Sequence, residues 1–201
     1  IKTYLADHPA PTPVLSASII PHKAAGGIWI TASHNPPTDN GFKLRSSYAG
    51  AADPETLSDV EERIAQAQDS ERIETADYDR AVAAGDIQII DPAEPYLEQI
   101  DRLIDLQPIK DAGLRILADP MWGVGQGWFP RLLTGGQTTV HEIHNERRPL
   151  FPGIKRPEPI DENLGELLNG VAIWGADAGL ANDGDADRVG FVSEEGTFVN
   201  Q

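Results

Sequence analysis

Gly26-Gly27-Ile28-Trp29-Ile30 runs directly into Thr31-Ala32-Ser33-His34-Asn35-Pro36-Pro37. Two glycines followed by three large apolar residues read as a short buried strand, and the Asn-Pro step reads as the turn that closes it. Helical patterns lie on both sides. Thr12-Pro13 reads as an N-cap and N1 pair opening a helix through about Ile20, which Pro21 ends. Phe42–Arg45 is a second short strand. Asp53-Pro54 then opens a long helix through Gln68, with Leu57, Val60, Ile64 and Ala67 spaced for one buried face. Helices alternating with short strands predict an α/β architecture.

The alternation continues beyond. From Asp69 to Asp91 the chain is polar and acidic and carries Gly85, which predicts a surface excursion with a short helix and a strand at Ile87–Ile90. Asp91-Pro92 opens another helix, with Tyr96, Ile100, Leu103 and Ile104 on one face. We place a domain boundary near residue 91, dividing the chain into 1–91 and 92–201. In the second part Leu114–Ala118 and Thr138–Ile143 read as strands, Gly125–Leu133 as a helix, and Asp161–Leu168 as the start of another. Between Thr138–Ile143 and Asp161–Leu168, Pro149-Leu150-Phe151-Pro152-Gly153 and Pro157-Glu158-Pro159 make a stiff loop. Gly179–Ala181 and Arg188–Ser193 flank an acidic loop, and the latter pairs with Thr197–Val199 across Glu194–Gly196. There is no internal repeat and no low-complexity tract.

Composition narrows the function. The 201 residues carry Lys+Arg 16 against Asp+Glu 32, a formal charge of −16. A nucleic-acid binder needs a basic stripe to displace counterions, and an anionic membrane surface makes the same demand, so neither partner is expected. Hydrophobic residues at 40% suffice for a packed core. No cysteine is present, which excludes disulfides, thiolate metal sites and cysteine nucleophiles. No stretch approaches the ~20 apolar residues of a membrane helix, and no signal peptide opens the chain.

Two stretches could carry chemistry, at opposite ends of the chain. Ser33 follows a strand directly, where α/β proteins place reactive groups, and its hydroxyl could attack or carry a phosphoryl group. Equally, Asn35-Pro36 could simply close a turn with Ser33 satisfying local backbone. A nucleophile elbow is absent, since Ala32 and His34 replace the glycines of Gly-x-Ser-x-Gly. The second stretch is Asp183-Gly184-Asp185-Ala186-Asp187-Arg188. Three carboxylates at alternate loop positions can converge on one hard cation, because magnesium and calcium prefer oxygen ligands. An acidic solvated turn is the bland alternative. Asp183, Asp185, Asp187 and Glu194 also fall at positions of an EF-hand loop, but Arg188 occupies the place of its invariant glycine. An arginine beside a cation site suits an anionic oxygen shared by metal and guanidinium, and phosphate fits best. A phosphorylated Ser33 would make the two stretches halves of one phosphoryl-transfer site.

Thr31 to Pro37, followed by Asn40-Gly41-Phe42-Lys43, resembles the phosphoserine loop of the α-D-phosphohexomutases, which include phosphoglucomutases, phosphomannomutases and phosphoglucosamine mutases. Asp183 to Arg188 resembles the metal-binding loop of the same family, and the resemblance runs over nearly the whole chain. It implies two successive three-layer α/β/α domains with mixed sheets, the first incomplete. It implies a cytoplasmic enzyme that moves a phosphoryl group between the C1 and C6 hydroxyls of a hexose phosphate through a phosphoserine and a bisphosphate. By position, Ser33 would carry the phosphoryl group, and Asp183, Asp185 and Asp187 would hold Mg²⁺ together with Ser33. Arg188 would contact the phosphate, Lys43 would be the general acid/base, and His34 would shape the loop close to the phosphate. To act as a base, Lys43 must have its pKa lowered, which nearby Mg²⁺ or Arg188 would do.

Phe42 and Pro36-Pro37 look more like the phosphoglucomutase and phosphomannomutase branches, so glucose or mannose phosphate is the expected substrate. Family chains have four domains. This sequence matches part of the first and the second, so very low turnover is expected of it alone. The different-class alternative is a non-catalytic, Mg²⁺-binding or phospho-regulated module on the same scaffold. The oligomeric state cannot be read from the sequence.

Overall fold

Chain order in the computed structural model, which describes residues 1–70 and 73–199, is β1 (Thr3–Ala6), α1 (Thr12–Ile19), β2 (Gly26–Ile30), β3 (Phe42–Ser46), α2 (Pro54–Asp69), α3 (Tyr78–Ala83), β4 (Ile87–Ile90) and α4 (Ala93–Leu103). It continues through α5 (Gln107–Asp111), β5 (Arg115–Asp119), α6 (Trp128–Leu133), β6 (Thr139–Glu142), α7 (Gly165–Trp174), β7 (Ala178–Asn182), β8 (Val189–Val192) and β9 (Phe198–Val199). Residues 71–72 of the acidic excursion lie outside the described residues, as do 200–201. The architecture is α/β, as the alternation predicted, and the mixed sheet that the resemblance implies is the five-stranded one of the second half.

The second half is built on a sheet of order β6-β5-β7-β8-β9. β6, β5 and β7 run parallel, and β8 and β9 return antiparallel. Ile116, Leu117, Ala118 and Asp119 of β5 are all buried, so both faces of this strand are covered, as the middle of three layers requires. Helix α7 lies close on one face because glycines leave it room. A Cβ on Gly170 would come within 2.6 Å of the Leu117 side chain, and one on Gly179 within 2.8 Å of Val171. The core formed there joins Leu117, Met121, Leu164, Leu167, Val171, Ala181 and Val192. Gly175 stops the helix in the left-handed conformation at φ 60°.

In the first half the strands form two separate pairs, β1 with β4 in parallel and β2 with β3 antiparallel. Trp29 faces Lys43 across the second pair, and its indole N–H donates to the Thr12 carbonyl at 3.3 Å, tying β2 to the start of α1. Helix α1 packs on α4, and the Ser18 hydroxyl donates to the Pro92 carbonyl between them.

Several expectations need correction. The run Ile28-Trp29-Ile30 alternates. Trp29 is buried, whereas Ile28 and Ile30 are 68% and 75% exposed. Pro11, not Thr12, stands at the N-cap of α1, and Thr12 is its first helical residue. Helix α2 forms with Asp53 as its cap, accepting the Thr56 N–H at 2.9 Å, yet none of its residues is buried, so the stripe Leu57, Val60, Ile64 and Ala67 does not enter a core. On α4, Tyr96 and Ile100 are half-buried, but Leu103 and Ile104 are exposed. Helix α6 starts only at Trp128, because Gly127 before it takes a left-handed φ of 76°. The strand β1 and the one-turn helix α5 have no counterpart in the sequence reading. Among the described residues no helix is long and apolar enough to cross a membrane.

Candidate active site

The ends of two hairpins meet where the chemistry was expected. The β2–β3 connection carries Ser33, and β3 carries Lys43. The β7–β8 connection carries Asp183 to Arg188. Ser33 sits at φ 55°, a left-handed conformation uncommon for a residue with a side chain. Its N–H donates to Thr31 Oγ1 at 2.8 Å, which helps hold that turn. The Ser33 carbonyl presses against Gly184, where a Cβ would sit 2.6 Å from the carbonyl oxygen. The glycine between the first two aspartates therefore lets the two hairpin tips come this close.

Asp183 is fully buried, and Asp185 is 5% exposed. Asp183 Oδ1 accepts the backbone N–H groups of Asp187 and Arg188, both at 3.0 Å, which curls the loop around its carboxylate. Asp183 Oδ2 lies 3.4 Å from Ser33 Oγ and 3.3 Å from Arg188 Nε. Asp185 Oδ1 lies 3.2 Å from Ser33 Oγ. Asp185 Oδ2 accepts from Lys43 Nζ at 2.7 Å, Thr12 Oγ1 at 3.0 Å and Thr31 Oγ1 at 3.2 Å. Lys43 Nζ also reaches Asp187 Oδ2 at 2.7 Å and Ser33 Oγ at 3.5 Å. Arg188 Nη2 lies 3.4 Å from Ser33 Oγ, and Nη1 lies 3.4 Å from Glu158 Oε1. His34 Nε2 is 3.8 Å from the same Glu158 oxygen, while the buried His34 Nδ1 has no hydrogen-bond partner.

The structure thus brings together Ser33, Lys43, Asp183, Asp185, Asp187 and Arg188, with His34 one residue further out. Thr12, Thr31 and Glu158 were not singled out from the sequence. Glu158 is the hub of a small network, pairing with Arg156 at 2.5 Å as well as with Arg188 and His34. Its Pro-Glu-Pro setting marked it only as part of a stiff loop. The threonine hydroxyls gave no signal, because their partner lies more than 150 residues away in sequence.

Electrostatics follow from burial and crowding. Burial, with Asp185 and Asp187 close by, pushes Asp183 up to about 7. Burial would also raise Asp185, but hydrogen bonds and charge from Lys43, with those of Thr12 and Ser33, hold it below the usual carboxylate range. Burial pulls Lys43 down, yet its bonds to Asp185 and Asp187 outweigh that and hold the ammonium above its ordinary value. The lowering anticipated for Lys43 therefore does not occur while it serves as the counter-charge of two carboxylates.

One oxygen each of Asp183, Asp185 and Asp187 can be chosen so that all three lie within 4.8 Å of one another, close enough to hold a single ion. The donors are all oxygen, and the loop has a glycine where bulk would separate it from Ser33. That set fits a small hard cation. Glu194 lies beyond β8, exposed in the turn to β9 and outside this group, which removes the EF-hand arrangement. A second group, Asp7, His8 and Asp91, is exposed at all three residues.

Residues 94–196 match the family model described as phosphoglucomutase/phosphomannomutase, alpha/beta/alpha domain II, and residues 1–71 match domain I of the same family. The chain belongs to the phosphoglucomutase/phosphomannomutase family. It is 35% identical over 192 residues to a phosphoglucomutase/phosphomannomutase of Thermococcus kodakarensis, covering 94% of this chain and 40% of that protein. It is 35% identical over 188 residues to a Methanopyrus kandleri protein described as a probable phosphoglucosamine mutase, covering 94% of this chain and 39% of the relative. A crystal structure of a candidate phosphomannomutase from Thermus thermophilus superposes with a TM-score of 0.81 at 33% identity, over 100% of this chain and 44% of that one. The chain thus spans about two fifths of the length of these relatives. Equal identity to proteins named for different sugars leaves the branch open.

Proposed function

We propose that this chain carries the phosphoryl-transfer centre of a cytoplasmic phosphohexomutase acting on glucose or mannose phosphate. The observation that carries the reading is the position of Ser33 Oγ. It lies within 3.5 Å of a carboxylate oxygen of Asp183, one of Asp185, the Lys43 ammonium and the Arg188 guanidinium. Ser33 carries the phosphoryl group. Asp183, Asp185 and Asp187 hold Mg²⁺, which when bound neutralises charge on the Ser33-linked phosphate. Arg188 spreads positive charge over the same phosphate, and Glu158 holds its guanidinium from the far side. His34, with a free buried nitrogen, closes the loop side of the phosphate.

In the first transfer, the bond between Ser33 Oγ and phosphorus breaks and a bond from phosphorus to the free sugar hydroxyl oxygen forms, giving a hexose bisphosphate. The Lys43 ammonium, 3.5 Å from Ser33 Oγ, gives a proton to the departing serine oxygen and takes the one released by the sugar hydroxyl, and Ser33 is left to take the phosphoryl group at the other end of the sugar in the second transfer. Positioning and charge neutralisation do most of the work in such reactions. Lys43 can accept a proton only after giving one up, and Asp185 and Asp187, which hold its ammonium above the ordinary value, oppose that for as long as they face it.

Intact-protein mass spectrometry tests the reading. After incubation with a hexose 1,6-bisphosphate, the chain should gain one phosphoryl group, Ser33→Ala should not, and the group should leave on addition of glucose 1-phosphate or mannose 1-phosphate. Faster loss to glucosamine 1-phosphate would move the assignment to the third branch. A chain that takes up phosphate but never returns it to a sugar is the non-catalytic, phospho-regulated module instead.

A further inference from the structure

The two buried aspartates are held in a similar manner, each with one oxygen engaged by donors and the other facing Ser33, although that of Asp183 also meets Arg188 Nε at 3.3 Å. For Asp183 the engaged oxygen is Oδ1, held by two backbone N–H groups of its own loop. For Asp185 it is Oδ2, and the donors come from the opposite end of the chain, from Thr12 in α1 and Thr31 after β2. Thr12 is 2% exposed, and its own N–H donates to the Asp185 carbonyl at 2.9 Å, so it grips both the backbone and the side chain of that one residue. Lys43, the third donor to Oδ2, is partly exposed on a long flexible stem and can swing away. The threonine hydroxyls sit on short side chains fixed by their backbone.

Such an arrangement limits what Asp185 can offer a cation. Ca²⁺ takes 6–8 oxygens and readily binds a carboxylate through both of them, whereas Mg²⁺ is smaller and demands near-octahedral geometry. We propose that Thr12 and Thr31 set the cation preference of the site, by occupying Asp185 Oδ2 so that only Oδ1 remains to bind and a small six-coordinate ion is favoured over a larger one. This rests on the reading that the acidic loop binds a divalent cation, and the two threonines act as positioning residues.

The test is isothermal titration of the whole chain with Mg²⁺ and with Ca²⁺, for wild type, Thr12→Val, Thr31→Val and the double variant. Valine keeps the shape and removes the donor; at Thr31 it also removes the acceptor of the Ser33 N–H, so Thr12→Val is the cleaner arm. Freeing Oδ2 should shift the ratio of Ca²⁺ to Mg²⁺ affinity toward Ca²⁺ by about tenfold in the double variant, the order expected for losing hydrogen bonds to a charged group. Thr12→Ser and Thr31→Ser, which restore the hydroxyl, should return the ratio to that of wild type. Far-UV circular dichroism checks folding, and if Thr12→Val does not fold, the half-buried Thr31→Val carries the comparison with a smaller shift in the same direction. Equal weakening of both ions, or an unchanged ratio, would overturn the proposal while leaving the cation site intact. Wild type binding neither ion at millimolar concentration would overturn the cation reading itself, and the proposal with it.

Discussion

Replacing Gly184 by alanine should separate the two hairpins. Its φ lies outside the left-handed region, so alanine can adopt the backbone, and the obstacle is space alone. The added methyl would meet the Ser33 carbonyl oxygen at 2.6 Å and the Pro157 ring at 3.0 Å. The first distance is about 0.8 Å short of ordinary contact, and the neighbour is backbone, which cannot rotate aside. Overpacking of this kind costs about 1–3 kcal/mol, and alanine recovers about 0.4–1 kcal/mol by restricting the unfolded chain. The net expectation is a loss of about 1–2 kcal/mol in urea unfolding. Because Ser33 is the group displaced, the effect on function should be larger. A shift approaching 1 Å costs on the order of 10²-fold in a positioned reaction, read here as the single-turnover rate of phosphoryl loss from Ser33 to sugar. Gly165→Ala is the control, since nothing lies within 4 Å of a Cβ there and its φ is also ordinary. If Gly184→Ala matched wild type in both stability and transfer rate, the close approach of the loops, and the site built on it, would be wrong.

Other expectations follow from the same geometry. The Asp183 carboxyl is raised to about 7, so below that pH a cation must displace a proton, and Mg²⁺ affinity measured by titration calorimetry should fall as pH drops from 8 to 6, an interval chosen to span about one unit on either side of that value. Without added cation, Asp183 contributes stability that is fully present below its unfolded value of 3.8 and is lost as pH rises through about 7. Divalent cations should therefore raise the melting temperature most on the alkaline side. His144, held above its ordinary value by its hydrogen bonds to buried Asp119, contributes stability present at mildly acidic pH and lost as pH rises through its raised value. His144→Gln should cost about 2 kcal/mol at pH ~6 and less at pH ~9 by urea unfolding, and equal losses at both would refute the charged pair. Leu167→Ala, in the core beneath α7, should cost about 2–5 kcal/mol, and a loss below ~1 kcal/mol would contradict the packing described.

The chemistry was more legible in the sequence than the packing around it. Ser33 and the Asp183–Arg188 loop stand out by residue type and spacing, whereas Lys43 was reached only through the family resemblance. Strand Ile87–Ile90 and the Asp53 cap of α2 were equally readable, since both depend on neighbours in sequence. What failed were inferences about partners. The stripe on α2 specifies a helix without specifying anything for it to pack on, and Ile28-Trp29-Ile30 cannot reveal which of its faces is covered. Thr12 carries the signature of an N-cap, yet its hydroxyl serves Asp185 at the other end of the chain. A local rule has no means of anticipating that competition.

The cage around Ser33 draws on residues 12 to 43 and 183 to 188, with about 140 residues of chain between them. Closing so long a loop is a late event in any folding route, since the entropy of bringing the ends together must be met by structure already formed. A divalent ion at this junction should then act as a lock on the finished molecule and take no part in nucleation, slowing unfolding while leaving the refolding rate nearly untouched. Stopped-flow chevrons recorded with and without Mg²⁺ would separate the two limbs, and acceleration of the folding limb would mean that the hairpin tips find each other early.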